Sequence, residues 1–124
     1  SRYEDATQQK NITLFTALDK EAEIYADKTL AEILFGNLIS NAIRHTIQNG
    51  LIEITLNKNS FKITNTATGK ALDAQKLFKR FQKSGIDSHS IGLGLEISQK
   101  IGNLYGCQIN YSFDSNRHCF TVSF

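Results

Sequence analysis

The sequence has 124 residues, 40% hydrophobic and 21% charged, which suits one soluble globular domain with a real core and is too short for two. Its 14 basic residues against 12 acidic ones leave a formal charge of +2, too balanced for a nucleic-acid or anionic-membrane surface, so any anion site has to be local. The longest apolar runs are a few residues and no charged-then-apolar leader opens the chain, so no direct membrane contact is expected.

In chain order, Lys10 to Leu18 alternates with Ile12, Leu14 and Thr16 on one side and predicts a strand. After the polar turn Asp19-Lys20-Glu21, Ala22 to Ala26 with Ile24 predicts a short second one. Asp27 and Thr29 are N-cap types before a long helical pattern from Lys28 that is expected to stop near Asn49-Gly50. Leu51 to Asn57 and Phe61 to Asn65 predict a hairpin through Lys58-Asn59-Ser60, and Asn65 to Gly69 leaves it as a loop. Leu77, Phe78 and Phe81 mark a short helix over Leu72 to Lys83. The polar run Gly85 to Gly94 reads as a mobile loop feeding a helix from Leu95 to Tyr105, with Ile97, Ile101 and Leu104 as its apolar face. Cys107 to Phe113 and His118 to Phe124 close the chain as a hairpin around Asp114-Ser115-Asn116-Arg117. The order ββαββααββ predicts an α/β two-layer sandwich, a mixed, mainly antiparallel sheet with helices on one face.

Cys107 and Cys119 lack the close Cys or His partners of a zinc site and read as reduced structural thiols, in keeping with a cytoplasmic setting. The absence of methionine and the opening Ser1-Arg2 suggest a piece cut from a longer protein, with residues 1–9 a linker or remnant and 10–124 the domain.

Two features carry chemistry. On the long helix, Ala31, Leu34, Phe35, Leu38, Ile39 and Ala42 form an apolar face, and Asn37, Asn41, Arg44 and His45 form a polar stripe expected to border it. Asparagine competes for backbone hydrogen bonds and is a poor interior helix residue, so two of them one turn apart beside a core require a reason. An amide can coordinate a hard cation such as Mg²⁺ or hydrogen-bond a phosphate without adding charge, Arg44 can pair with a phosphate, and His45 offers a flat ring. The alternative is a solvated polar edge. The second feature, Gly92-Leu93-Gly94-Leu95 at the expected start of a helix, offers free N–H groups and the positive end of a helix dipole to a phosphate. It matches neither a P-loop nor a dinucleotide-binding fingerprint, and the alternative is a flexible loop with a capping glycine.

Read in order, Asn37-x-x-x-Asn41-Ala42, the loop ending in Gly69, Leu77-Phe78-x-Arg80-Phe81 and Gly92-Leu93-Gly94-Leu95 resemble the N, G1, F and G2 boxes of the catalytic and ATP-binding domain of sensor histidine kinases. That domain belongs to the GHKL superfamily shared with gyrase, heat-shock chaperone and mismatch-repair ATPases. The resemblance spans essentially residues 10–124 and implies ATP and Mg²⁺ as cofactors. It implies Asn41 as the Mg²⁺ ligand, Asn37 supporting the phosphates or the attacking group, Arg44 on a phosphate and His45 against the ribose or adenine. By the same resemblance Gly69, Gly92, Leu93, Gly94 and Leu95 hold the nucleotide, Arg80 and, less directly, Lys83 reach the phosphates, and Phe78 and Phe81 anchor the lid. Where the family carries Asp-x-Gly-x-Gly, this sequence has Asn65, Ala67 and Gly69: Asn65 keeps an acceptor for the adenine amino group without its charge, and Ala67 restricts the backbone.

The implied function is donation of the ATP γ-phosphate to a histidine on an absent dimerisation domain of the same parent, for a response regulator. Asn37, Asn41 and Arg44 form the implied catalytic set, and the fragment alone is expected to be a monomer. Two other readings stay open. One is a degenerate regulatory module without phosphotransfer, toward which Asn65 and Ala67 point; the other is a serine kinase or ATPase of the same superfamily. None of the chain's own histidines suits as acceptor: His45 faces the nucleotide, His89 lies in the loop, and His118 begins the last strand, away from every box.

Overall fold

A computed structural model describes residues 8–22, 26–67 and 86–124, and of residues 86–94 the backbone only. The elements are β1 (Thr13–Leu18), α1 (Lys28–His45), β2 (Leu51–Leu56), β3 (Ser60–Thr66), α2 (Ile86–Leu104), β4 (Gln108–Asp114) and β5 (Arg117–Ser123). The five strands form one sheet in the order β1-β2-β3-β5-β4. β1 runs parallel to β2, with α1 as the crossover between them, and the remaining pairs are antiparallel. This is the predicted mixed, mainly antiparallel sheet.

Local chemistry explains both hairpins. At the β2–β3 turn the Asn57 carboxamide oxygen accepts from the N–H groups of Asn59 and Ser60, at 2.9 and 2.8 Å, an Asx-type turn. At the β4–β5 turn Ser115 and Asn116 both take positive φ, 52° and 59°, the pairing that a two-residue turn needs to match strand twist.

Strict alternation then sorts the sheet into two faces. Phe61, Ile63 and Asn65 of β3 and His118, Phe120 and Val122 of β5 are buried on the inner face, while Lys62, Thr64, Cys119 and Thr121 point to the open one. The helices cover the inner face through Leu34, Leu38 and Ala42 of α1 and Leu95 and Ile101 of α2. α1 starts where predicted: the Asp27 carboxylate accepts from the N–H of Leu30 at 3.0 Å, and the Asp27 N–H donates to the Tyr105 hydroxyl at 2.9 Å, tying the helix start to the residue after α2.

The structure corrects three expectations. α1 ends at His45 and not near Asn49-Gly50, because Thr46 takes an extended conformation and bonds the Ala42 carbonyl with both its N–H and its hydroxyl. The chain then turns through Asn49, φ 62°, into Gly50, where a Cβ would lie 2.6 Å from Thr46 Cγ2, so only glycine fits. Second, the stretch predicted as a mobile loop before Gly94 is helical from Ile86 onward. Ile91, Leu95 and Ser98 extend the helical period backward, Asp87 suits a first turn, and a glycine in a helix costs only about 1 kcal/mol. Third, the strand predicted over Lys10 to Leu18 begins only at Thr13, residues 8–10 being helical, and at the sheet edge its Leu14 and Leu18 remain 51% and 57% exposed. The predicted strand at Ile24 and the predicted helix over Leu72 to Lys83 lie outside the described residues, although Ala22 and Ala26 on either side of Ile24 are not in a strand.

Leu38 is wholly buried at the centre of α1, so Leu38→Ala is expected to cost about 3 kcal/mol, against about 1 kcal/mol for Asp27→Ala. Urea denaturation of both variants checks the ranking, and equal losses would contradict this account of the core.

Candidate nucleotide site

The polar side chains of α1 do not all border the core: Asn41 lies within it, and His45 is half-buried at its edge. Asn41 follows Leu34 by seven residues and His45 follows Leu38 by seven, so in a helix of 3.6 residues per turn each stacks on the buried face. Asn41 is accordingly 5% exposed, and its Oδ1 is buried without a hydrogen-bond partner among the described residues. The Nε2 of His45, one turn on, is likewise buried and has no hydrogen-bond partner among the described residues. A buried polar atom left unsatisfied costs on the order of 1–3 kcal/mol, so two in succession on the helix that anchors the core call for a ligand.

The His45 ring lies at the ends of the central strands. Asn65 near the end of β3 is 2% exposed and lies in cross-strand register with His118 of β5, itself 4% exposed. The His45 and His118 rings meet edge to face with centroids 6.2 Å apart. The Tyr111 hydroxyl, on β4, pairs with His118 Nδ1 at 2.7 Å and fixes that ring. The Ile47 N–H donates to the Thr66 carbonyl at 3.3 Å and holds the end of α1 over the end of β3. His45, Asn65 and His118 therefore meet at the ends of the central strands, with the buried Asn41 one turn before His45 on α1. Sequence reasoning placed His118 away from every box and so missed it. Its strand register with Asn65, two hairpins apart in the chain, was the signal that would have found it.

The other expected residues divide. Asn37 is half-buried and donates through Nδ2 to Ser98 Oγ at 3.3 Å, and Ser98 in turn donates to the Leu34 carbonyl, joining α1 to α2. Arg44 is exposed at the rim beside His45. Gly92, Leu93, Gly94 and Leu95 lie inside α2 and not at its start, and the Leu95 side chain is packed in the core at 1% exposure. Past the first four residues of a helix the N–H groups are paired within it, so the expected free amides of this run are not free here. Gly69, Arg80, Lys83, Phe78 and Phe81 lie outside the described residues. A shallow groove of about 560 Å³ on the open sheet face, lined in part by Lys62, Thr64, Ser112 and Arg117, contains none of the expected residues. Cys107 and Cys119 are both free, and burial raises the Cys107 pKa, keeping it a thiol.

The family model for histidine kinase-, DNA gyrase B-, and HSP90-like ATPases matches residues 26–124, and the chain belongs to that family. It is 36% identical over 112 residues to the heme sensor protein HssS of Staphylococcus epidermidis, covering 87% of this chain and 25% of that protein. It is 34% identical over 107 residues to the sensor histidine kinase HprS of Escherichia coli K12, covering 82% of this chain and 24% of the relative. The chain thus spans about a quarter of the length of these relatives. Among solved structures, the catalytic domain of the histidine kinase ThkA superposes with a TM-score of 0.80 at 27% identity, covering 98% of this chain and 83% of that one. The Acinetobacter baumannii histidine kinase AdeS gives 0.77 at 27% identity, covering 99% and 58%. The domain is the ATP-binding catalytic type that sensor histidine kinases carry. Among the described residues no helix is long and apolar enough to cross a membrane.

Burial, then the charges of His118, Arg44 and Lys10, lowers the His45 pKa, and burial lowers that of His118. Folded-state values below the unfolded one mean that stability is complete above about pH 6.5 and is lost as pH falls through the folded values. The urea midpoint is expected to fall between about pH 7.5 and 5.5, above the carboxylate range, and to fall less in His118→Phe. A flat profile, or an identical slope in the variant, would contradict this.

Proposed function

We propose that residues 10–124, preceded by a linker at 1–9, hold Mg-ATP against the inner face of α1. The domain would supply the γ-phosphate to a histidine on a dimerisation domain elsewhere in a cytoplasmic kinase, for transfer to a response regulator. The observation that carries this reading is the pair of orphaned buried atoms, Asn41 Oδ1 and His45 Nε2, beside Asn65 and His118 in a member of an ATPase family.

The donor set suits a hard cation bound together with phosphates. Asn41 offers one neutral oxygen, and among the described residues no group of three or more His, Cys, Asp or Glu could hold a metal by itself. Mg²⁺ typically keeps waters and substrate phosphate oxygens and takes few protein ligands, so a single amide is enough. When bound, it offsets charge on the triphosphate. Arg44, exposed at the rim, pairs with a phosphate, and Asn37 braces the helix against α2 beside it. Asn65 accepts from the adenine amino group, over a floor made by His118 as Tyr111 holds it. His45 lies against the base or ribose.

The Gly92–Leu95 amides reach a phosphate only after the turns of α2 from Ile86 unwind. Gly92 and Gly94 lower the stability of those turns by about 1 kcal/mol each relative to alanine, which keeps the opening small in cost. Roles for Gly69 and Arg80 rest on the family resemblance. Catalysis in this arrangement is positioning and charge stabilisation, and the acceptor histidine is the nucleophile. His45 and His118 are unsuited to that part because both are committed to the pocket.

Asn41→Ala is expected to weaken Mg-ATP binding by about tenfold or more, the loss of a charge-assisted contact of about 1.5–3 kcal/mol. Its stability should stay within about 1 kcal/mol of the parent, since removing an orphaned acceptor offsets the packing lost. Mg-ATP titration and melting read the two effects separately; unchanged binding would refute the role. Asn65→Asp should tighten ATP by on the order of 1 kcal/mol, roughly fivefold, and leave GTP unchanged. Equal tightening toward both nucleotides would remove Asn65 from the base.

A further inference from the structure

The last turn of α1, which carries Arg44 and His45, is held by a residue from outside the helix. A helix leaves its final carbonyls without intrahelical donors, and here they belong to Ala42, Ile43, Arg44 and His45. Thr46 satisfies Ala42. The Lys10 ammonium donates to the carbonyls of Ile43 at 3.0 Å, Arg44 at 2.8 Å and Thr46 at 3.1 Å. A cation at this end also complements the helix dipole. The backbone beside Lys10 is fastened to the same corner. The Lys10 carbonyl accepts from the Asn49 N–H at 2.8 Å, Asn11 donates through its amide to the Asn49 side-chain oxygen at 2.7 Å, and the Thr13 N–H donates to Gly50 at 3.0 Å. Asn11 and Asn49 both take positive φ, 53° and 62°, a region asparagine tolerates better than most residues.

We propose that Lys10 is a positioning residue for nucleotide binding: its ammonium fixes the α1 carbonyl end so that the Arg44 guanidinium and the His45 ring are aimed before ATP arrives. Displacement of the chain where it enters β1 is thereby felt at the nucleotide. A simple stabilising cap would raise the melting temperature without setting affinity, and that difference is measurable. The inference rests on the reading of Arg44 and His45 as nucleotide contacts.

The test compares Lys10→Met and Lys10→Arg with Asp27→Ala, which removes the cap at the opposite end of the same helix and leaves the Arg44 turn untouched. Mg-ATP titration, melting and the NMR pH titration of the His45 ring are measured on each. Lys10→Met is expected to weaken Mg-ATP binding by about fivefold and Lys10→Arg to restore it to within about twofold. Asp27→Ala should leave affinity within about twofold for a comparable drop in melting temperature. The His45 titration should move upward in Lys10→Met, since the Lys10 charge is one of the causes that lower it, after burial, His118 and Arg44. Lys10→Gln, judged by the same criteria, replaces Lys10→Met if the latter does not unfold cooperatively. Parent-like affinity in the uncharged variant, or an equal loss in Asp27→Ala, overturns the inference alone. A parent chain that binds no Mg-ATP overturns the proposed function and this inference with it.

Discussion

The structure depends on how α1 buries its inner face. Leu34, Leu38 and Ala42 anchor the helix on the sheet, and the same geometry carries Asn41 and His45 into the layer between them. The apolar residues on that face supply the burial energy, while Asn41 Oδ1 and His45 Nε2 lose hydration without a hydrogen bond among the described residues. A fold that tolerates this does so where a ligand completes the bonding. The end of β3 and the start of β5 support the arrangement by bringing Asn65 and His118 opposite the helix, with Tyr111 fixing the second of them. Stability and the proposed function thus draw on one interface, the inner face of the long helix against the strand ends.

Much of this was legible in the sequence because the signals were local. Alternation and turn residues marked both hairpins, and Asp27 marked the start of α1. What was misjudged depended on tertiary placement. Asn41, drawn in a stripe beside the apolar face, falls within it once its seven-residue stacking on Leu34 is followed, while Asn37 and Arg44 stay outside the core. His118 acquires meaning only through strand register with Asn65, which no local window contains. The stop of α1 was misplaced because Thr46 folds its hydroxyl and N–H back onto Ala42, and a β-branched residue inside an apparently continuous pattern gives little warning of that.

The second helix shows the other way a sequence signal can mislead. Glycines at 92 and 94 suggested a helix start, yet the surrounding period carries the helix back to Ile86. Both observations are consistent if the glycines weaken turns that form in one arrangement and open in another, because a loss of about 1 kcal/mol per glycine is small beside a packed helix and comparable to one phosphate hydrogen bond. The Asn65 and Ala67 substitutions act at the opposite side of the pocket. There the carboxylate of the family pattern gives way to a buried neutral amide in strand register with a buried histidine.

The central claim is that ligand binds between the inner face of α1 and the ends of β3 and β5. A backbone amide NMR titration of the chain with Mg-ATP addresses it most directly. Saturable shifts concentrated at Asn41, Arg44, His45, Asn65 and His118, abolished when Mg²⁺ is chelated, are the predicted result. Shifts centred on Lys62, Thr64, Ser112 and Arg117 of the open sheet face, with the α1 residues unmoved, would contradict it.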